Sequence, residues 1–473
     1  MICDTPSLAG IQSVSSHMLF SSVQRVHFVG IGGSGMSGIA EILLSQGFQV
    51  SGSDLAASST TEHLAAKGAR IAIGHRSENI EGAEVVVYSS AVKPSENPET
   101  LAALERKIPI IRRAEMLSEV SRLKYTLAIA GTHGKTTTTS MCGLVMMKAG
   151  IDPTVIVGGR LTGLGGSNAR LGSGDWIVLE ADEYDRSFLQ LLPTIAVITN
   201  IEADHLDIYS DLDDIKGAFT EFSNKVPFYG SALVCLDDPG VRDVLPSIKR
   251  VTVTYGTTPQ CDVRASNIAY NERSSSYDLT YRGELLGRIT LNVPGEHNVL
   301  NSLAACGVAL QCGVGIEVIQ EALGEFGGVY RRFEIKGESQ GGVLVIDDYA
   351  HHPTEIQATL EAARKGWDRR IVAVFQPHTY TRTRDFYREF ATSFDNADVI
   401  ILTDVYAARE EPIEGVSGRI IADATRDAGH RHVHYVEHLE DASKLLSEIL
   451  KPGDILLTMG AGDVWRVGSK VSN

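Results

Sequence analysis

A chain of 473 residues exceeds what one hydrophobic core comfortably serves, so two to four domains are expected. Its 43% hydrophobic and 22% charged residues describe an ordinary globular protein, and no apolar run reaches the roughly 20 residues that span a bilayer, which excludes membrane insertion. A formal net charge of -16 excludes broad nucleic-acid binding, so a phosphate site must rest on local backbone amides and a few cations, a need that bound Mg²⁺ would fit. The six cysteines form no CxxC pair, which argues against a zinc knuckle or disulfide framework and for a reducing, cytoplasmic setting.

Met1 to Ser22 contains no Lys or Arg and only short apolar patches, so residues 1–22 read as a mobile tail rather than a signal peptide. From Arg25, Val/Ile-rich runs alternate with helical stretches: VHFVGIG, MSGIAEILLSQG, FQVSGSD, TTEHLAAKGA and EVVVYSS. That alternation predicts a parallel sheet wrapped by helices. A second series opens at YTLAIAGTHGKTTTTS and continues through WIVLEADEYD and TIAVITNIEADHLD. Between about Ser231 and Pro294 the polar/apolar alternation of SSSYDLTYRGELLGRITLNV predicts antiparallel hairpins with a turn at Arg282-Gly283. A third βα series follows GGVYRRFE. The expected modules are residues 23–124, 125–328 and 329–473: two Rossmann-like α/β domains flanking a P-loop-type domain with an added antiparallel β portion.

Gly30-Ile31-Gly32-Gly33-Ser34-Gly35 matches GxGxxG between a predicted strand and helix, and Asp54 ends the next strand. Glycines let the backbone approach a pyrophosphate, and a carboxylate there can accept from a ribose hydroxyl, which suits a dinucleotide or a UDP-sugar equally. The second loop, Gly131-Thr132-His133-Gly134-Lys135-Thr136-Thr137, supplies amides and a Lys for the phosphates of ATP and a hydroxyl for Mg²⁺. It departs from the ordinary Walker A pattern, whose first glycine is replaced by Ile129.

Glu180 and the Asp182-Glu183-Tyr184-Asp185 loop end one strand, and Glu202-Ala203-Asp204-His205 follows another. Ligands in open α/β sheets lie beyond the carboxyl ends of the strands, so Glu180 and His205 are expected to face the phosphates held by Lys135, with Mg²⁺ between. Asn298 and Asn301 lie three apart, hence on one helical face. In the third module, Asp347 to Pro353, Gln376-Pro377-His378 and Gly460 to Asp463 end strands. Arg382 and Arg384 follow, cations able to clamp a carboxylate or a transferred phosphoryl group.

The ordered set GIGGSGMSGIAE, AGTHGKTTTTS, EADEYDRSF, NIEADHLD, GEHNVLN, YRRFE, DDYAHHPTE, FQPH with TRTRDF, and GAGD resembles the Mur ligase family, specifically its first amino-acid-adding members. The resemblance implies ATP-dependent joining of L-alanine to the lactyl carboxylate of UDP-N-acetylmuramate, through an acyl phosphate, in peptidoglycan precursor synthesis by a cytoplasmic monomer or homodimer. It implies a UDP-sugar site at Gly30, Gly32, Gly33, Ser34, Gly35, Asp54, Ser89, Ser90, Asp182 and Glu183. ATP falls to Gly131 to Thr137 with His297, Asn298 and Asn301, and metal to Thr136, Glu180 and His205. Catalytic roles fall to Lys135, His205, Arg332 (or its neighbour Arg331), His351, His352 and Arg382, with His351 or His205 deprotonating the amine. Relatives commonly carry Arg where this chain has Thr379, which shifts the expected carboxylate contact toward Arg382 or Arg384. No counterpart of a carbamylated Lys is evident. A nicotinamide oxidoreductase would explain Gly30 to Gly35 with Asp54 but leaves the GKTT loop idle. A nucleotide-gated binding module leaves the strand-end ligands idle. A murein-tripeptide recycling ligase is the nearer alternative, disfavoured by the compact ITNIEADHLDIY stretch.

Overall fold

The computed structural model describes residues 23–472 except Ser90, Leu123, 159–168 and Asp207, and for Ser34 and Ser472 the backbone alone. The expected tail, 1–22, lies outside the described residues. The chain divides into two compact units, one running to Tyr125 and including Gln190–Leu192, the other comprising Thr126–Leu189 and Pro193 onward.

The first unit carries a five-stranded parallel sheet in the order Arg70–Ile73, Gln49–Asp54, Arg25–Val29, Val85–Tyr88, Ile110–Arg112. The β-branched runs pack inward: Phe28, Val29, Val86 and Val87 are fully buried. Beside this sheet the helix Pro98–Glu105 starts at Asn97, whose side chain accepts from the Glu99 and Thr100 amides. Its first turn buries a charge, the Glu99 carboxylate. That group accepts from the Ser53 hydroxyl at 2.6 Å and Asn79 Nδ2 at 2.5 Å, with His75 Nδ1 at 3.2 Å.

The second unit carries two sheets. In the ten-stranded one, Tyr125–Ala130, Ile195–Ile198, Ser231–Cys235, Thr252–Gly256 and Val263–Asn271 run parallel in that lateral order. The antiparallel texture expected from Ser231 begins only at Val263, where Val263–Asn271, Ser274–Tyr281 and Glu284–Leu291 form hairpins, turning at Arg282-Gly283 as expected. Ser231–Cys235 is buried on both faces, as a central parallel strand must be, so its short run lacks the alternation that marks a hairpin. On the other side of Tyr125–Ala130 follow Trp176–Glu180, Thr154–Ile156 and Ala169–Arg170. The helices Lys135–Lys148 and Glu296–Gln311 pack on this sheet through Met141, Val145, Val299 and Leu303, all fully buried.

The six-stranded sheet has the order Glu334–Glu338, Leu344–Asp348, Ile455–Met459, Ile371–Phe375, Val399–Leu402, Val433–Tyr435, antiparallel only at the first pair. No helix among the described residues is long and apolar enough to cross a membrane.

Burial alone would raise the Glu99 pKa, but the His27 ring, the Ser53 hydroxyl and the Asn79 amide together hold it down at about 2. A depressed carboxyl pKa stabilises the fold above the ordinary value of 4.5, and that contribution disappears as pH falls toward about 2. Glu99→Gln should therefore lower stability at neutral pH by on the order of 3 kcal/mol. It should also flatten the acid limb of the stability curve, read by denaturant unfolding across that pH window; an unchanged acid limb would show that Glu99 is not its source.

Candidate functional site

The loop Gly131 to Gly134 links Tyr125–Ala130 to the helix Lys135–Lys148. A Cβ at Gly131, where φ is +140°, would lie 1.9 Å from Thr199 Oγ1, so glycine is required for the close approach. The neighbouring turn shapes the loop: the His133 amide donates to Asn200 Oδ1 at 2.7 Å, and the Thr199 hydroxyl donates to the His133 carbonyl at 2.6 Å. The helix begins without a capping side chain or an acidic residue in its first turn. Its leading amides therefore face outward as donors, the arrangement that receives phosphate.

Lys135 Nζ donates to the Gly131 and Thr132 carbonyls and lies 2.8 Å from Glu183 Oε2. Burial would depress this lysine, but the Glu183 and Asp182 carboxylates outweigh it and raise its pKa, so it stays charged. Glu180 ends Trp176–Glu180; burial pushes its pKa up, against the Thr136 hydroxyl and the Lys135 charge. Glu180 Oε1 is buried without a hydrogen-bond partner among the described residues. An orphaned carboxylate oxygen beside a hydroxyl suits a hard divalent cation. His205, at φ +54°, places Nε2 3.7 Å from Glu183 Oε1, so Glu183 stands between Lys135 and His205. Asp182 accepts from the Tyr184 amide at 3.2 Å.

A cavity of about 160 Å³ opens beside the loop, lined by His133, Thr136, His297, Asn298, Asn301 and Arg332 among others. Thr138 donates to Asn301 Oδ1 at 3.1 Å, which fixes that amide against the loop helix, while Asn298 Nδ2 donates to the Pro294 carbonyl at 2.7 Å. Burial and the nearby Arg332 charge lower His297 to about 4, so its ring is neutral. The two adjacent arginines diverge. Arg331 is buried, bound to Asp347 at 2.8 Å and to the Gly460 and Gly462 carbonyls, whereas Arg332 turns to the cavity and donates to Glu355 Oε1 at 3.3 Å.

Glu355 gathers this side of the site. It accepts from the His351 and His352 amides, and its carboxylate lies 3.4 Å from His133 Nδ1 and 3.2 Å from His351 Nδ1. Despite burial, the hydrogen bond and charge of His133 and the charge of Arg332 keep it ionised, well below the usual carboxylate range. His351 Nδ1 donates to the Tyr349 carbonyl at 3.0 Å, and burial lowers its pKa to about 3. Burial and the His133 charge lower His352 to about 4. Arg382, in the helix Tyr380–Ser393, donates to both oxygens of Asp204 at 2.8 and 3.2 Å. Thr379 caps that helix at φ +66°, and Arg384 is exposed and bound to its neighbour Asp385.

In the first unit, Asp54 Oδ2 accepts from the Gly32 amide at 2.8 Å, so the carboxylate expected to meet a ribose shapes the glycine loop. Gly30, at φ +82°, lies against Ser89, Gly35 lies against the Arg113 side chain, and Gly33 precedes the helix that Ser34 opens. Ser90 lies outside the described residues.

Four cleft residues escaped the sequence reading as ligands or partners: Glu202, Asp204, Asp348 and Glu355. Burial raises Asp348 to about 6, while the Phe333 and Ala350 amides bind its two oxygens. Glu355 does have a local signature, an acid at the third helical position after His352. Glu202 and Asp204 find their partners, Thr354 and Arg382, more than 150 residues away, beyond the reach of local pattern.

Three family descriptions match the chain: Mur ligase family, catalytic domain, over residues 25–125; Mur ligase middle domain over 129–309; and Mur ligase, glutamate ligase domain, over 331–462. The UDP-N-acetylmuramate–L-alanine ligase of Salinibacter ruber is 56% identical over 94% of this chain and 93% of its own. Its Geotalea uraniireducens namesake is 52% identical over 95% and 98%. Among solved structures, UDP-N-acetylmuramate-alanine ligase of Thermotoga maritima superposes with TM-score 0.78 at 30% identity, covering 94% of this chain and 98% of that one. A murein peptide ligase of Psychrobacter arcticus gives 0.67 at 26%, covering 95% and 98%.

Burial would lower the His133 pKa, but Glu202 and Glu355 raise it to about 9. A raised imidazole stabilises the fold fully below 6.5, and that contribution is lost as pH climbs through about 9. The His133 ring protons in an NMR titration should therefore move with a midpoint near 9, and toward 6.5 in Glu355→Gln; a wild-type midpoint at or below 6.5 would contradict the ion cluster.

Proposed function

The chain belongs to the Mur ligase family, and from that premise we propose that it joins L-alanine to the lactyl carboxylate of UDP-N-acetylmuramate at the expense of ATP, supplying peptidoglycan precursor synthesis. The observation that carries this reading is near-full-length identity of 52–56% to relatives bearing that name. In this reading residues 23–124 bind the UDP-sugar, 125–328 bind ATP, and 329–473 receive the amino acid.

The sugar carboxylate attacks the γ-phosphorus of ATP, giving ADP and an acyl phosphate; the alanine amine then adds to the acyl carbon and expels phosphate. The loop amides and Lys135 hold the phosphates and neutralise charge as it develops. To do so Lys135 exchanges part of its contact with Glu183 for phosphate oxygens, and Glu183 remains to keep the ammonium charged. Thr136 and Glu180, with His205, are the residues that would hold Mg²⁺, which would supply positive charge to the phosphates. His297, Asn298 and Asn301 line the adenine side, and Arg332 supplies the cation for the transferred phosphoryl group.

With its pKa near 3, His351 is a poor proton acceptor; its Nδ1 donates to Tyr349, which leaves Nε2 to orient the amine. Arg382 is the cation for the alanine carboxylate, held in place by Asp204, and Thr379 keeps only the capping task.

Lys135→Ala should cut ATP-dependent phosphate release by at least about a hundredfold with the fold retained by circular dichroism. Near-normal release would remove Lys135 from the mechanism. Phosphate release by the wild type with a panel of amino acids and the murein tripeptide should single out L-alanine, and a tripeptide preference would replace this reading with the recycling one.

A further inference from the structure

Two imidazoles and a carboxylate from three separate segments meet beside the phosphate loop. His133 comes from the loop itself, Glu202 from the turn after Ile195–Ile198, and His352 from the residue before the helix Pro353–Gly366. His133 Nε2 lies 3.6 Å from Glu202 Oε2, His352 Nδ1 lies 3.9 Å from the same oxygen, and one donor atom from each residue lies within 4.8 Å of the other two. Among the described residues, His133 Nε2 and both ring nitrogens of His352 are buried without a hydrogen-bond partner. His352 is 4% exposed, so water does not supply what the protein withholds.

We propose that His133, Glu202 and His352 form a site for a divalent transition-metal ion of the zinc class. Two nitrogens and one oxygen are the donor set that zinc takes when it leaves a fourth position open, whereas magnesium seeks oxygen alone. Bonds of about 2.0–2.2 Å in a tetrahedron separate donor atoms by roughly 3.3 Å, so small rotations of the two imidazoles close the observed spacings. The surroundings are built for ligation. His133 Nδ1 faces Glu355 Oε1 at 3.4 Å, the carboxylate-to-imidazole arrangement that aims a ligating ring, and the Thr354 hydroxyl donates to Glu202 Oε2 and orients it. Zinc takes the place of the proton on His133 Nε2, which is released to solvent, and the ion ties the phosphate loop to the first helix of the six-stranded sheet. The residues differ from Thr136 and Glu180, and the site stands or falls without reference to the ligase reading.

The test uses the full chain, free of any affinity tag, stripped by chelator and dialysed against zinc in excess magnesium, with neither nucleotide nor sugar present. One equivalent of zinc should be retained, and cobalt in its place should show the intense visible bands of a four- or five-coordinate ion. Glu202→Gln, which keeps the side-chain shape, and His352→Ala should each weaken zinc binding by at least about tenfold. Absence of retained zinc in the wild type would overturn the proposal. So would unchanged affinity in Glu202→Gln, or zinc lost only on replacing Cys312, a cysteine that is not fully buried.

Discussion

One buried carboxylate, that of Glu355, organises the face on which the two sheets of the second unit meet. It is a local helix cap, accepting from the His351 and His352 amides, and at the same time the counter-ion of His133 in the phosphate loop and of Arg332 at the cavity wall. Removing an ionised carboxylate from water is costly unless every oxygen is paired, and here donors approach from three segments. Each donor in turn needs this acceptor: without it His133 would lose one of the two carboxylates that keep it charged, and Arg332 would lose the contact that turns it to the cavity. The local task of starting a helix and the long-range task of joining two sheets thus rest on the same two oxygen atoms.

A second buried ion pair shows how a phosphate loop is kept ready. Lys135 is not left loose; Glu183 and two loop carbonyls hold it in place. That spares the loss of side-chain freedom when phosphate arrives, and it maintains the positive charge that burial would otherwise remove. The cost is competition, since an incoming anion must share the ammonium with Glu183. The unpartnered oxygen of Glu180 has the opposite character, a buried acceptor without a donor that a cation would complete.

Much of this was legible in the chain. Strand-to-helix alternation located the parallel sheets, and the GKT loop located the phosphate-binding turn, because both depend on residues close in sequence. The hairpin start was misplaced because Ser231–Cys235 is a fully buried strand, whose apolar residues carry no period to separate it from its neighbours. Asp54, expected from its place at a strand end to meet a ribose hydroxyl, also satisfies the glycine loop's own amide at Gly32, a contact that strand-end position does not reveal. Sequence position names which residues reach a site, while the competition among donors there decides what each one binds.

The two neighbours Arg331 and Arg332 make the same argument sharply. In sequence they are interchangeable, both strand-flanking cations three to five residues after a glycine pair. The backbone separates them: Arg331 adopts a left-handed φ of +56°, which turns its side chain into the six-stranded sheet, where Asp347 and the carbonyls of Gly460 and Gly462 take its donors. Nothing is left for a ligand. Arg332, on ordinary backbone, emerges on the cavity with part of its guanidinium uncommitted, at 34% side-chain exposure. One residue therefore closes the ends of Leu344–Asp348 and Ile455–Met459 so that the next can present its charge, and exchanging their roles would need a change of backbone, not of side chain.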